Sequence, residues 1–203
     1  MSRPKSNLEE QLLTSAAELI ATEGLEALSL RELGRRAGVS RAAPYHYFAD
    51  KAELIARVGE LGFRRLGDTI TAATAKAKDP LQQIRAGLRA YIEFARVEPD
   101  FFQLMFSNAL SRARNDPASG LAFSSEAARA AFATLIDGVR NAQTARVLRK
   151  TDPLLIVNVL WAFTHGVAVL ARDQHLKHAG GTEAVFDAGF RALVEHYAPR
   201  QLK

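Results

Sequence analysis

The chain has no cysteine, so it forms no disulfide and no thiolate-ligated zinc site, and a reducing cytosol suits it. It also lacks any useful length of the period-two apolar alternation that marks a half-buried strand. Met1 to Asn7 is short and polar, without the apolar core of a secretory signal. His165, His175, His178 and His196 are scattered, and their spacing does not place two metal ligands on one helical face. There is no nucleophile paired with a base in a recognisable setting and no glycine-rich phosphate loop. These absences lead us to expect no enzyme activity, no metal and no cofactor.

Long uncharged runs are scarce too. The exception is Pro153 to Ala171, close to the ~20 residues that span a bilayer. It contains Asn158, Thr164, His165 and Gly166, and a helix apolar on all sides equally suits a core or a subunit interface. We therefore expect no membrane partner and a cytoplasmic location.

Hydrophobic residues make up 48% of the 203, enough for one or two domains with a sizeable core. The net charge of +5 mildly favours an anionic partner, but the total hides where that partner would bind. Residues 1–50 hold six Lys/Arg against seven Asp/Glu, a sum of −1. What stands out is local clustering: Arg31, Arg35, Arg36, Arg41 and Lys51 fall within 21 residues, opposed only by Glu32 and Asp50. Arg3 and Lys5 form a separate basic arm.

Helical periodicity accounts for nearly the whole chain, giving an all-α fold of about nine helices. Leu8, Leu12, Ala16, Leu19 and Ile20 mark one face of the first helix, and Gly24 suits the residue just past its end. Ser29 and Glu32 have the spacing of a capping box opening a second helix near Leu30. Gly38 breaks that helix, and Ser40 offers a cap for a third, ending near Phe48. A fourth is expected from Lys51 to about Ala77, and a fifth from Asp79-Pro80 to Glu98. A short aromatic helix over 101–108 precedes a polar loop at 111–120, and a long helix covers roughly 124–148. Asp152-Pro153 opens the apolar helix, and Thr182 is the expected cap of the last, which runs to about Tyr197.

Residues 29–48 have the layout of a DNA-binding helix-turn-helix. Leu30, Leu33 and Ala37 pack inward at helical spacing, with Ala37 small where two helices approach. Gly38 allows a positive φ, Val39 plugs the gap, and Tyr47 and Phe48 anchor the far end. Ser40 as a cap leaves amides free to meet a phosphate. The arginines stay outside.

The stretch LSLRELGRRAGVSRAAPYHYFADKAELI, residues 28–55, closely resembles the N-terminal signature of the tetracycline-repressor-like (TetR) family. Trp161-Ala162-Phe163-Thr164-His165-Gly166 resembles the Trp-His-Gly element of one C-terminal subgroup. The resemblance implies a homodimer with a helix-turn-helix domain at 1–50 and a helical ligand-binding and dimerisation domain at 51–203. It implies that Arg41, Ala42 and Ala43 face bases with Arg31 close by, and that Ser29, Tyr45, His46 and Lys51 contact phosphate; Ser40 and Tyr47 complete the DNA-facing set. Pro44 departs from many members, because it has no N–H and its ring crowds the Ser40 carbonyl. The expected result is a reading helix that starts late or opens with a loosened turn. Ala42 and Ala43 can only touch thymine methyls, so direct readout falls to Arg31 and Arg41, helped by DNA shape.

In the body, the expected ligand set is Phe94, Phe102, Met105, Phe106, Phe132, Trp161 and His165. The expected dimer interface uses Val159, Phe163 and Val167 of the apolar helix with Val185, Phe186, Gly189, Phe190 and Leu193 of the last. Together these describe a regulator on a palindromic operator, a repressor released by a small apolar or aromatic effector. The alternative is a family member without a small-molecule ligand, constitutive or controlled by a protein partner.

Overall fold

The fold comes from a computed structural model that describes residues 5–108, 110, 125–178 and 180–199, with side chains from residue 8 onward. Eight α-helices lie among them, and no strand: α1 (Lys5–Glu23), α2 (Leu30–Arg36), α3 (Lys51–Thr74), α4 (Pro80–Val97), α5 (Pro99–Met105), α6 (Glu126–Thr144), α7 (Pro153–Arg172) and α8 (Gly181–Tyr197). The third expected helix, the one capped by Ser40, is replaced by a 3-10 turn, Ala43–His46. The expected polar loop at 111–120 and the basic residue Arg3 lie outside the described residues, as does the side chain of Lys5.

Most boundaries follow local chemistry. Asp79 accepts from the Gln82 amide at 2.9 Å and Pro80 opens α4, where its missing N–H costs nothing. Asp152 and Pro153 do the same for α7, with the Leu154 amide 2.9 Å from the Asp152 carboxylate. At the start of α3 the Glu53 amide donates to Asp50, and the Glu53 carboxylate reaches back to the Ala49 amide at 2.7 Å. The last helix departs from expectation: it begins at Gly181 with Gly180 (φ 89°) before it, so Thr182 lies inside it.

Packing divides the chain into two units, one of residues 1–65 and 100–129, the other of residues 66–99 and 130–203. The first is centred on Leu12, Leu19, Leu33, Phe48, Leu54 and Phe63, all at or near full burial. Within it α5 comes close to α3 at Gly62, where a Cβ would stand 2.7 Å from the Met105 sulfur. In the second unit α7 packs chiefly on α4 and next on α8.

The apolar helix α7, with a mean hydropathy of 2.0, is among the described residues the one helix long and apolar enough to cross a membrane. It has two faces. Ile156, Val157, Leu160, Thr164, Val167 and Ala168 are buried. Leu155, Ala162 and Leu170 are exposed, and Val159 and Gly166 are half-buried beside them.

Candidate nucleic-acid interface and ligand cavity

The helix-turn-helix begins with Ser29, whose hydroxyl accepts from the Glu32 amide at 3.1 Å. The reciprocal half of the expected capping box is diverted: Arg35 takes the Glu32 carboxylate through two nitrogens, at 2.9 and 2.5 Å. That contact holds the Glu32 carboxyl below its ordinary range. At the other end α2 closes in a Schellman motif. Gly38 has φ 68°, its amide donates to Arg35 O at 3.3 Å, and the Val39 amide donates to Gly34 O at 3.0 Å.

The next segment differs from expectation for a physical reason. An α-helix capped by Ser40 needs the donor that Pro44 lacks, and the proline ring would crowd the Ser40 carbonyl. The chain instead makes the shorter bond from the Ala43 amide to Ser40 O at 3.0 Å, then a 3-10 turn with Ala42 before it. Ser40 therefore serves through its carbonyl rather than as a side-chain cap. One α-type bond, from the Phe48 amide to Pro44 O at 3.0 Å, closes the segment. Pro44 and Phe48 are buried, and Tyr47 packs beside Phe48 with ring centroids 6.2 Å apart.

Small size matters here at Gly34. A Cβ on Gly34 would meet Ser40 O at 2.9 Å and Arg41 Cα at 3.2 Å, both of them backbone. Gly34 thus lets the reading turn lie flat on α2. The sequence signal for it was a glycine inside a helix, where it costs helix stability unless packing requires it.

The outward side chains sort by their partners. Arg35 is held by Glu32, and Arg36 by Glu23 at 2.5 Å. Among the described residues Arg31 and Arg41 have no carboxylate partner and are exposed. Ser29, Ser40, Ala42, Tyr45 and His46 are also exposed, with Tyr45 at 58%. Ala43 and Tyr47 are half-buried. Lys51 donates to the Leu25 carbonyl at 2.7 Å, tying the start of α3 to the 3-10 turn Leu25–Ala27.

The second unit contains a narrow apolar cavity. Leu66, Ile70 and Thr74 of α3 line it, with Gln83, Ile84, Gly87, Leu88 and Tyr91 of α4, Ala131, Phe132, Thr134 and Leu135 of α6, and Trp161 of α7. Its volume is ≈ 30 Å³, room for about two waters. At its deep end Trp161 Nε1 donates to the Tyr91 hydroxyl at 3.2 Å, and that hydroxyl stands 2.8 Å from His165 Nδ1. Burial raises the Tyr91 pKa far above its ordinary value and lowers that of His165, which Arg172 lowers further. Both are therefore neutral near pH 7.

Of the seven expected ligand residues, Phe132 and Trp161 line this cavity, and His165 touches it through Tyr91. Phe94, Phe102, Met105 and Phe106 do not line it. Phe94, Phe102 and Met105 are buried in packed core, and Phe106 sits edge-on to Phe63 and Phe102. Aromatics at helical spacing find one another before they enclose a void. Tyr91, the hub of the polar group, was missed; its signal was a lone phenol on the apolar stripe of α4.

The expected dimer residues divide as well. Val167, Phe186 and Phe190 are buried within the chain, at 4%, 1% and 8%, and have almost no surface left for a partner. The Phe163 ring lies where a Cβ on Gly189 would be and stacks on Phe186, so those two also face inward. Val159, Val185 and Leu193 remain half-exposed.

A helix-turn-helix with two arginines unpaired among the described residues, beside an exposed reading turn, defines a DNA-binding regulator, and comparison with known proteins gives the family. Residues 12–58 match the model described as bacterial regulatory proteins, tetR family, and residues 84–193, more than half the chain, match the tetracyclin repressor-like C-terminal domain. The chain belongs to this tetR family, whose members are transcription regulators and not enzymes. The description of the C-terminal match does not name the Trp-His-Gly subgroup.

The HTH-type transcriptional activator FasR of Mycolicibacterium smegmatis is 30% identical over 105 residues, which is 52% of this chain and 48% of that protein. The nucleoid occlusion factor SlmA of Vibrio vulnificus is 31% identical over 107 residues, 52% of this chain and 55% of that protein. The chain thus spans about half the length of the curated relatives it matches. A solved structure from Rhodococcus sp. RHA1, described as a protein of unknown function, is similar over 95% of this chain and 96% of its own, with TM-score 0.79 and 29% identity. The fatty acid degradation regulator FadR of Bacillus halodurans, 13% identical with TM-score 0.76 over 96% and 97% of the two chains, shares the fold.

Proposed function

We propose that this chain is a cytoplasmic, homodimeric repressor that leaves a palindromic operator when a small, largely apolar ligand enters the cavity of its second unit. The observation that carries the reading is one helix with two duties. The first turn of α3 abuts the reading segment, and its last turns supply Leu66, Ile70 and Thr74 to the cavity. Ligand entry that moves the end of α3 favours dimers with altered spacing of the reading turns. Productive spacing on adjacent major grooves is ~34–36 Å.

Direct base readout rests on Arg31 and Arg41, with Ser29, Tyr45, His46 and Lys51 on phosphates and Ser40, Ala42, Ala43 and Tyr47 alongside. Lys51 reaches a phosphate by letting go of the Leu25 carbonyl. The surface proposed for the two-fold interface is the outer apolar stripe of α7 (Leu155, Val159, Ala162, Gly166, Leu170) beside Ala184, Val185, Ala188 and Ala192 of α8. A four-helix bundle buries both stripes. Open space over Gly166 leaves room for close approach.

The test is selection of bound DNA from a random pool, followed by titration of the selected site with wild type and with Ala162→Glu. The expected site is a palindrome bound by a dimer, and the variant is a monomer that binds it poorly. A dimeric, fully active Ala162→Glu chain moves the interface elsewhere. A second reading, control by a protein partner with no small ligand, is favoured by the small size of the cavity, ≈ 30 Å³ against the ~300–1,000 Å³ of ordinary ligand sites. Retention of the selected DNA in the presence of every small molecule in a broad apolar library, with release by a cell extract, selects that reading.

A further inference from the structure

We infer that Glu32 is a positioning residue for DNA binding: it holds the Arg35 guanidinium, cancels its charge, and so limits sequence-independent attraction to DNA phosphate. The inference rests on the reading that turns Arg31 toward DNA.

The two arginines share a face. Arg31 and Arg35 are four residues apart on α2, which puts them in line and ~6 Å apart along the helix. Both are exposed, and the Arg35 side chain is 64% open to solvent. A DNA strand that passes Arg31 therefore comes within the sweep of an unrestrained Arg35. Glu32 supplies the restraint. Arg35 Nε donates to both Glu32 oxygens, at 3.0 and 2.9 Å, and Nη2 donates to one of them at 2.5 Å. An edge of the guanidinium suited to a bidentate phosphate contact is thus taken by the same helix.

Net charge decides the effect. Affinity for phosphate comes largely from the counterions that a bound cation displaces. An Arg35 that leaves Glu32 for a phosphate exchanges one ion pair for another and bares a carboxylate beside the DNA. The pair as a whole therefore displaces no counterion. Of the other clustered cations, Arg36 is cancelled in the same way by Glu23 at the end of α1. That leaves Arg31 and Arg41, without a carboxylate partner among the described residues, and Lys51, held by a neutral carbonyl. A larger share of the binding energy then falls to contacts that depend on base sequence.

The experiment measures binding of the full chain to a random-sequence duplex and to the selected palindrome, from about 50 to about 200 mM NaCl. Glu32→Gln removes the charge and leaves the Ser29 cap in place, because the amide that donates to Ser29 belongs to the backbone. We expect an unchanged melting temperature. Two Arg35 side chains are then free in each dimer. Log K should fall with log salt more steeply than in the wild type, by about 1.8, or 0.9 per phosphate, on both DNAs. Discrimination between the two DNAs should stay at the wild-type value, because phosphate contacts carry no sequence. Glu32→Gln with Arg35→Gln restores the wild-type net charge and should restore the wild-type slope. Glu26→Gln is the charge-matched control. It removes the same charge from the exposed turn Leu25–Ala27, where Glu26 has no ion pair among the described residues, and so frees no arginine. Its change in slope should be less than half that of Glu32→Gln.

A steepening under about 0.5 in Glu32→Gln overturns the inference. So does an equal steepening in Glu26→Gln, which makes the effect one of overall charge, or a steep slope that survives in the double variant, which takes Arg35 out of it. Arg31→Ala separates the inference from the reading beneath it. Weakened binding by Arg31→Ala with an unchanged slope in Glu32→Gln removes the role of Glu32 alone. Wild-type binding of both DNAs by Arg31→Ala removes the reading that turns this face of α2 toward DNA.

Discussion

The reading segment and the cavity are built in opposite ways. From Ser29 to Phe48 nearly every contact that sets the geometry is made between residues less than a dozen apart: Ser29 with Glu32, Val39 with Gly34, Ala43 with Ser40, Phe48 with Pro44. The cavity draws on four helices spread over residues 66–161, and its polar group links Tyr91 to residues 70 and 74 positions away. A site made of local contacts is written in a contiguous stretch. A site made of leftover volume is written nowhere in particular. The comparison also predicts where substitutions act locally and where they act through packing.

The largest expected effect is at Phe48, 1% exposed at the foot of the reading segment. Phe48→Ala should cost about 3–5 kcal/mol, measured by urea denaturation, and abolish DNA binding. A cost under about 1 kcal/mol would show that the segment is not anchored there. Next comes the sorting of the arginines. Arg41→Ala should lose about 1–3 kcal/mol of discrimination between selected and random DNA. Arg36→Ala, which removes the partner of Glu23, should weaken both DNAs alike. Equal losses on both DNAs for Arg41→Ala would make it a phosphate contact and dissolve the distinction between paired and unpaired arginines.

The same substitution at two glycines sharpens the contrast further. Gly34→Ala places a methyl against backbone, 2.9 Å from Ser40 O, and overpacking of that kind costs about 1–3 kcal/mol. Gly87→Ala meets only side-chain methyls at ordinary distance, and removing a helix-interior glycine should stabilise by about 0.5–1 kcal/mol. Opposite signs in paired thermal melts are the expected result. A stabilising Gly34→Ala would mean that the turn can lift off α2 without cost.

These pairs also explain what could be read from the sequence. The all-α fold, the capping residues Ser29, Asp79 and Asp152, and the helix-turn-helix were legible, because a cap and the amide that donates to it sit two or three residues apart. The change from an α-helix to a 3-10 turn at Ala43–His46 was half legible: Pro44 announced a disturbed start, but the turn that resulted depends on Gly34 underneath. The cavity was largely illegible. Phe94, Phe102 and Met105 have the same composition as a ligand pocket yet fill core, and Thr74, Gln83 and Leu135 carry no pattern that marks a wall. The inward turn of Phe186 and Phe190 depended on which side of α8 met α7, and a stripe on a helix does not specify which neighbour it faces.

The smallest effect concerns the polar group at the deep end, and its sign follows from one pKa. Burial lowers the His165 pKa below its ordinary value in the folded chain, and Arg172 lowers it further. The unfolded chain therefore takes up the proton more readily than the folded one. The stability that neutral His165 contributes is present above its unfolded pKa and is lost as pH falls through that value toward the folded one. Urea midpoints should decline as pH is lowered from about 7.5 to about 5.5, over the range where an ordinary histidine titrates. His165→Asn offers Tyr91 an amide oxygen and no titrating ring, so the variant should show a shallower decline than the wild type. Coincident pH profiles would mean that other groups set the slope and that the Tyr91–His165 bond survives protonation of the ring. A difference in slope would show that the deep end of the cavity is held by a neutral hydrogen-bonded group as well as by its apolar walls, and so differs in kind from the solvent-exposed edge that reads DNA.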